Sequence, residues 1–312
     1  MDATWFSTVR AWTLALVRAP SVTGTPGEGA FADQLAALLA AQPYFVAHPD
    51  HLRLLPIPGD PQGRRNLVAF VQRQGAATVL LTGHYDVVST ANYGDLEPWA
   101  CDPEALLPRL RAALAAGRPS SADALALADL ESGAYLPGRG VLDMKSGLAA
   151  GLAVLERFAT APDAHGNLLF LASPDEEVES HGIRGAVLAL PALAGEWGLD
   201  LQAAINLDAV ADTGAGAEGQ AAYLGSVGKL LPSVYVVGRE AHAGYPFAGV
   251  SAALLAAEVT RRMECNVDLS DDSAGDLAAP PVTLGLRDLK AHYDVTTPST
   301  VWCIYNVLTH AW

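Results

Sequence analysis

Short apolar runs alternate with stretches of helical periodicity through roughly the first 210 residues of the chain. Four of these runs predict β-strands, at 66–71, 78–81, 167–172 and 203–206. Helices are predicted at about 4–18, 28–41, 146–158 and 183–193. Because strands that alternate with helices form sheets covered on both faces, the pattern predicts an α/β fold with a mixed, mostly parallel sheet and flanking helices.

A long segment interrupts this alternation between Asp86 and Asp143. It forms an insert of about 91–135, in which helices are predicted at 103–116 and 121–130. A connection of this length is uncommon inside a compact domain and usually has a functional role.

The composition changes after about residue 212, where glycine and alanine dominate up to residue 222. Such a stretch indicates a hinge or linker. Beyond it the pattern predicts strands at 222–227, 232–237, 282–289 and 300–308, and a helix at about 250–265. We therefore expect two domains, 1–215 and 216–312, of which the second is a smaller α+β unit.

Composition and charge exclude several classes of function. Of the 312 residues, 51% are hydrophobic and 17% are charged, which favours a substantial core over disorder. The net charge of −15 argues against nucleic acid and against anionic membranes as partners. No apolar run reaches the roughly 18 residues that span a bilayer. The N-terminus shows no secretory signal. Three cysteines without a Cys-x-x-Cys pair indicate a reducing compartment, and we expect the cytoplasm.

Two common catalytic motifs are absent or out of place. The chain contains no Gly-x-Ser-x-Gly elbow, which argues against a serine hydrolase. A Gly-x-Gly-x-x-Gly match at 214–219 precedes a predicted strand instead of a helix, which argues against dinucleotide binding.

Six acidic or imidazole residues occur in an order that suits a two-metal hydrolytic site. They are His84, Asp86, Asp143, Glu176, Glu177 and Asp208. Each is predicted to lie at or just after the end of a strand. Since open α/β sheets bind ligands outside the carboxyl ends of their strands, the six could converge on one crevice. Carboxylates mixed with an imidazole suit Zn²⁺ or a similar divalent ion.

Each of these motifs also has an ordinary structural explanation. The His84-x-Asp86 pair fits a structural or solvated role, and Asp143, just before a predicted helix, fits an N-cap. The acidic run at 175–179 fits a solvated loop. Two adjacent glutamates could instead divide their work, one binding a metal and the other accepting a proton from water. Motif by motif, the spacing leaves both interpretations open.

Taken together, the motifs resemble the M20 metallopeptidases, a family of di-zinc exopeptidases and amidohydrolases. The resemblance rests on His84-x-Asp86, Gly-x-x-Asp143-Met-Lys-x-Gly, Asp-Glu176-Glu177 and Asp208, and it covers almost the whole chain. The insert looks most like the arginine-utilisation branch. The resemblance implies a zinc-exopeptidase fold with a smaller lid or dimerisation domain.

The same resemblance implies the metal ligands. His84 and Asp208 would bind one Zn²⁺, Glu177 would bind the other, and Asp143 would bridge them. Co²⁺ or Mn²⁺ could replace Zn²⁺ in such a site.

It also implies three catalytic roles. Asp86 would orient the metal-binding histidine, and Glu176 would be the general base. His242, in Glu-Ala-His242-Ala-Gly, matches a lid histidine that reaches an active site, often the partner subunit's, and stabilises the tetrahedral intermediate. We expect hydrolysis of an amide bond in a small peptide or N-acyl amino acid, and a homodimer formed through the lid.

The chain departs from the family pattern near its end. Family members return from the lid to the catalytic domain and supply a last histidine for the zinc on the Glu177 side. No residue here fits that place, so we expect the N-terminal part of a longer enzyme. We expect this part to bind at most one zinc tightly and to be nearly inactive. The alternative is a non-catalytic binding or assembly module that retains the fold.

Overall fold

The computed structural model describes residues 3–116, 120–209 and 222–310. The chain divides into two units, Met1–Ala211 and Asp212–Trp312. The expected boundary at 215/216 lies outside the described residues. The assignment of the two units as catalytic domain and lid remains a prediction.

Five strands form the sheet of the first unit. They are β1 (Leu52–Pro56), β2 (Arg65–Val71), β3 (Gln74–His84), β4 (His165–Ser173) and β5 (Asp200–Asn206). Their order is β1-β2-β4-β3-β5. β2 runs antiparallel to β1 and β4, whereas β3 runs parallel to β4 and β5. Four strands therefore share one direction, which confirms the mixed, mostly parallel sheet.

Seven α-helices accompany this sheet in the part of the first unit that the structure describes. They are α1 (Ala3–Val17), α2 (Pro26–Ala40), α3 (Pro43–Ala47), α4 (Pro103–Ala115), α5 (Ser121–Ser132), α6 (Ser146–Thr160) and α7 (His181–Trp197). None of the helices in the described part of the chain is both long and apolar enough to cross a membrane.

The middle strands are buried on both faces, which explains their unbroken apolar runs. On one face, Leu67 of β2 and Phe170 of β4 pack against residues of α1, α2 and α6. On the other face, Phe70 and Leu169 pack against Ala186 and other residues of α7. The sheet is thus covered by helices on both sides, as the alternation predicts.

Strand β1 was not predicted from the sequence. It is five residues long and ends at Pro56, which suits the edge of the sheet because proline cannot donate a backbone hydrogen bond. Its side chains are half-buried or exposed, so it lacks the fully apolar signature of β2 and β4.

The predicted insert contains two helices close to the expected bounds. Asp102 caps α4 by accepting a hydrogen bond from the backbone N–H of Ala105. Ser120 and Asp123 form a reciprocal capping box at the start of α5, and Gly133 ends it in the left-handed region. Local capping residues therefore account for both helices.

The second unit contains one α-helix and four strands in the residues that the structure describes. They are β6 (Gly228–Leu230), β7 (Ser233–Val237), α8 (Ala252–Met263), β8 (Val282–Asp288) and β9 (Thr300–Thr309). β9 pairs antiparallel with the other three strands. Ala252 and Ala256 of α8 pack against Val301, Cys303 and Tyr305 of β9.

The predicted strand at 222–227 is wrong. Residues 222–227 form no strand, and the short β6 begins only at Gly228, where pairing with Thr309 starts. Leu224 in this stretch is fully exposed. Its apolar side chains therefore have neither a sheet partner nor a packed face to hold a strand.

Candidate metal centre

Three parallel strands bring the predicted residues to one edge of the sheet. β3 lies between β4 and β5, and it ends at His84. Glu176 and Glu177 follow the end of β4, and Asp208 follows the end of β5. Because the carboxyl ends of neighbouring parallel strands meet at the same edge, these residues share one crevice.

Asp143 reaches the same crevice by a different route. The prediction that it follows a strand is wrong, since it lies in the tight turn Val141–Lys145 that leads into α6. A Cβ atom at Gly147 would lie 1.9 Å from the carbonyl oxygen of Leu207. Only glycine therefore lets the start of α6 lie against the residue that precedes Asp208.

The side chains converge on the ring of His84. Its Nε2 lies 2.9 Å from Oδ1 of Asp143 and 3.9 Å from both Oε2 of Glu176 and Oδ1 of Asp208. One ligand atom each from His84, Asp143 and Glu177 lie within 4.8 Å of one another. Since metal–ligand bonds are about 2 Å long, this spacing is close to that of donors around one ion.

The orientation of His84 leaves one ring nitrogen for a metal. The side chain is 3% exposed, and Nδ1 lies 3.0 Å from the backbone carbonyl of Asp86 and 3.4 Å from its carboxylate. The backbone carbonyl is thus the nearer acceptor. When Nδ1–H donates to Asp86, Nε2 faces the carboxylates, where it carries a proton in the metal-free protein and could bind a metal ion in place of that proton.

Asp86 also contacts the loop that carries Glu176 and Glu177. Its fully buried carboxylate accepts hydrogen bonds from the backbone N–H groups of Glu176, at 3.1 Å, and Glu177, at 3.2 Å. The hydroxyl of Thr23 donates to it as well, at 2.9 Å. Asp86 therefore fixes the loop that carries both glutamates. Sequence patterns do not reveal this contact because the donors are backbone groups.

Charge in the crevice favours protonation of His84. Burial by itself would lower the pKa of the imidazole. The hydrogen bond and charge of Asp86, together with the charges of Glu176 and Asp208, outweigh burial and raise the pKa of His84 to about 9.

Among the described residues, the crevice carboxylates have no ion-pair partner other than the ring of His84. Burial raises the pKa of Glu176 and Glu177, and neighbouring carboxylates raise it further, against the opposing charge of His84. Within 3–116, 120–209 and 222–310, no lysine or arginine forms a salt bridge with Asp143, Glu176, Glu177 or Asp208. A bound divalent cation would relieve this concentration of negative charge.

A second acidic cluster, which the sequence analysis missed, lies beside the crevice. Here Arg64 forms salt bridges with Glu28, Asp60 and Asp175, and we call these four residues the Arg64 cluster. All four side chains are buried. Asp175 directly precedes Glu176, so the cluster adjoins the metal centre. No sequence signal marks it, because Glu28 and Asp175 are far along the chain from Asp60 and Arg64.

His242 lies in the second unit. Its side chain is exposed, and Nδ1 accepts a hydrogen bond from the backbone N–H of Gly244 at 3.0 Å. Its backbone forms an isolated bridge with Thr296. The catalytic role of this histidine remains a prediction.

Comparison with known families identifies the family to which this fold and these motifs belong. The model of peptidase family M20/M25/M40 matches residues 80–296. The chain belongs to this family.

Two relatives from Bacillus subtilis (strain 168) align with most of the chain. The uncharacterized protein YqjN is 38% identical over 298 residues, which cover 95% of this chain and 52% of YqjN. Protein RocB is 36% identical over 304 residues, which cover 96% of this chain and 52% of RocB. These are relatives in the arginine-utilisation branch that the motifs indicated. The chain spans about half the length of both.

Solved structures share the fold. The M20 family metallo-carboxypeptidase Sso-CP2 from Sulfolobus solfataricus superimposes with a TM-score of 0.55 at 13% sequence identity. The match covers 99% of this chain and 71% of Sso-CP2. At this identity the likeness shows the fold alone, and it confirms the architecture expected from the sequence.

Proposed function

We propose that this chain provides the metal-binding and catalytic crevice of a hydrolase that cleaves an amide bond in a small peptide or N-acyl amino acid. One observation carries the proposal. The buried ring of His84 faces Asp143, Glu176 and Asp208 within 3.9 Å, and Glu177 lies in the same group. Membership of a peptidase family supports amide hydrolysis as the reaction.

The donors of the crevice fit zinc. One imidazole nitrogen and carboxylate oxygens are ligands that Zn²⁺ accepts, and Co²⁺ or Mn²⁺ could take its place. His84 and Asp208 would hold one ion, Glu177 would hold a second, and Asp143 would contact both. When bound, zinc polarises the substrate carbonyl and makes a nearby water molecule acidic enough to lose a proton near neutral pH.

Glu176 is the residue that we assign to proton transfer. It lies beside His84, it is partly open to solvent, and its pKa is raised by burial and by neighbouring carboxylates. A raised pKa brings a carboxylate closer to the pH at which it can take up a proton and release it again. Glu176 would accept the proton of the attacking water and pass it to the leaving amine.

A non-catalytic binding module is the second candidate, and one observation favours it. In the described residues, the group that could hold a metal contains a single imidazole, from His84. The position beside Glu177 would then have carboxylate ligands only, which make a weak zinc site. We therefore expect this chain by itself to hold at most one zinc tightly.

Zinc content and amide hydrolysis test the proposal together. The chain and any longer product of its gene would be dialysed against zinc, subjected to elemental analysis, and screened with dipeptides and N-acyl amino acids. We expect up to one zinc in the chain, and two zincs with hydrolysis in a longer product. If neither form binds zinc or hydrolyses any amide, the binding-module alternative is correct.

We further propose that His242 acts at the active site, that the second unit mediates a homodimer, and that the enzyme works in the cytoplasm. All three cysteines are free thiols, which supports a reducing location. In a hydrolytically active form, His242→Ala should lower kcat and leave zinc content unchanged. Loss of zinc in that variant would instead place His242 among the ligands.

A further inference from the structure

We propose that Arg64 is a positioning residue that acts through Asp175 to hold the segment carrying Glu176 and Glu177. The inference rests on the proposed function, because it assigns these glutamates to the metal centre. Arg64 itself touches neither glutamate side chain, so its effect would be exerted through the backbone.

The guanidinium of Arg64 connects three distant segments of the chain. It is 4% exposed, and its Nη1 donates to Oδ1 of Asp175 at 2.7 Å and to Oε1 of Glu28 at 3.0 Å. Its Nη2 donates to Oδ1 of Asp60 at 2.7 Å. Because the guanidinium is planar and its donors have fixed directions, these contacts hold the carboxylates in position and also stabilise their negative charge.

Asp175 transmits this contact to the turn after β4. Its other oxygen, Oδ2, accepts hydrogen bonds from the backbone N–H of His181 at 3.1 Å and lies 2.7 Å from the Nδ1 of that ring. Its own carbonyl accepts from the backbone N–H of Ser180 at 2.6 Å. Asp175 thus closes the turn 175–181, and Arg64 ties the closed turn to the start of β2.

The backbone of Asp175 needs such support. Its φ of 67° lies in the left-handed region, which is unfavourable for residues other than glycine and is tolerated best by aspartate and asparagine. A residue held in this region persists when surrounding contacts specify it. The direction in which the chain enters Glu176 therefore depends on the contacts of Asp175.

A second side chain from the start of β2 holds the far end of the same turn. Asn66 is buried, and its Nδ2 donates to the backbone carbonyl of Gly182 at 2.9 Å. A Cβ atom at Gly182 would lie 2.3 Å from the carbonyl oxygen of Pro174, so the turn is packed tightly onto itself. Arg64 and Asn66 therefore anchor both ends of the segment that contains the two glutamates.

The Arg64 cluster also contacts the segment that holds Asp86. Oε2 of Glu28 accepts a hydrogen bond from the backbone N–H of Gly24 at 2.7 Å. The hydroxyl of the preceding residue, Thr23, donates a hydrogen bond to the carboxylate of Asp86. Asp86 in turn accepts hydrogen bonds from the backbone N–H groups of Glu176 and Glu177. The residues around metal ligands commonly set their geometry, and their loss weakens metal binding.

Asp175→Asn tests the proposal without removing the buried cation. Asparagine tolerates the left-handed backbone, and Arg64 keeps its contacts with Glu28 and Asp60, so folding should be retained. Asp60→Asn is the matched control. It removes one carboxylate from the same guanidinium, but Asp60 lies outside the turn that carries the glutamates.

Hydrogen exchange and zinc titration measure the effect. In the metal-free chain, Asp175→Asn should speed amide exchange in the segment 174–182 by about tenfold, which corresponds to 1.4 kcal/mol. Zinc should bind about 10–100-fold more weakly than to the wild-type chain. Asp60→Asn should lower the stability of the chain but leave both local measurements near wild type.

The outcomes separate this proposal from the proposed function. Exchange in the segment needs neither metal nor substrate, so it decides the positioning role even if the wild-type chain binds no zinc and hydrolyses nothing. In that case the proposed function fails, and faster exchange in Asp175→Asn still supports the role of Arg64. If Asp175→Asn and Asp60→Asn give the same exchange in this segment, Arg64 stabilises the fold only and the proposal is overturned.

Discussion

Two acidic clusters adjoin at Asp175 and Glu176, and the pKa values of these two neighbours are shifted in opposite directions. Asp175 belongs to the Arg64 cluster, where hydrogen bonds with Arg64 help lower the pKa of Asp60 and Asp175, although burial leaves the pKa of Glu28 raised. Glu176 belongs to the crevice, where burial and neighbouring carboxylates leave the pKa of Glu176 and Glu177 raised. Burial acts in the same direction in both clusters, so the presence of a cationic side chain accounts for much of the difference.

This contrast separates a structural acidic cluster from a candidate binding site. Carboxylates that carry their own arginine are already compensated and gain little from a bound ion. The several carboxylates of the crevice share a single imidazole, which offsets only part of their charge, and such groups are concentrated at functional sites. The comparison therefore favours the crevice, and not the Arg64 cluster, as the place where a divalent metal binds.

The largest expected effect comes from Glu176→Gln in a form of the protein that hydrolyses amides. The variant should keep its zinc and lose about 10²–10⁴-fold in turnover, because a general base has been removed. The measurements are steady-state hydrolysis and elemental analysis. Glu179→Gln is the control on the same loop, where the side chain is 64% exposed, and it should behave like wild type. Near-normal turnover in Glu176→Gln would assign proton transfer to another residue.

Removal of the cation from the Arg64 cluster should give the next largest effect. Arg64→Met leaves three buried carboxylates without their partner, and we expect a loss of about 3–5 kcal/mol in the free energy of unfolding. Urea denaturation measures it. Arg65→Met is the matched control, because Arg65 pairs with Asp33 at the surface, and it should cost about 1 kcal/mol or less. Equal losses in the two variants would remove the distinction between the clusters.

Neutralisation of one acid in each cluster should change the free energy of unfolding of the metal-free chain at pH 7 by small amounts of opposite sign. Asp60→Asn removes a charge that Arg64 stabilises and should cost about 1–3 kcal/mol. Glu177→Gln removes a repelled charge and should stabilise the chain by about 1 kcal/mol or less, because solvent screens the crevice. Urea denaturation at several pH values measures both.

The pH dependence of this pair follows from the directions of the pKa shifts. The pKa of Asp60 is lowered in the folded state, so its contribution to stability is present above its unfolded pKa and lost as pH falls through the folded value. The pKa of Glu177 is raised, so its penalty appears as pH rises through the folded value and vanishes below the unfolded one. Both effects should disappear in acid. If Glu177→Gln lowered the free energy of unfolding at pH 7, the view that the charge of Glu177 is repelled in the crevice would be wrong.

Much of the fold was predictable because its signals are local. The unbroken apolar runs of β2 and β4 indicate strands buried on both faces, and the capped helices of the insert begin close to the positions expected from the sequence. The errors occur where the local signal is weak. Strand β1 is short and lies at an edge, and the apolar stretch 222–227 finds no strand partner.

The residues of the candidate site also differ in how far a local signal predicts their position. His84 and Asp208 could be placed from sequence because each follows a recognisable strand, and parallel neighbours bring strand ends together. Asp143 was placed in the correct part of the chain but on the wrong element. Its approach to Asp208 depends on the close contact of Gly147 with Leu207, which no pattern in the sequence reveals.

The sequence by itself determined four of the five described strands of the first sheet, the acidic and imidazole residues near their ends, and the family. These follow from apolar periodicity and from the order of a few motifs, which do not depend on distant contacts. Only the tertiary structure decided which acids carry a cation of their own. Glu28 and Asp175 come from segments far along the chain from Asp60 and Arg64, and the pKa of a buried carboxylate depends on the charges that folding brings within a few ångströms of it.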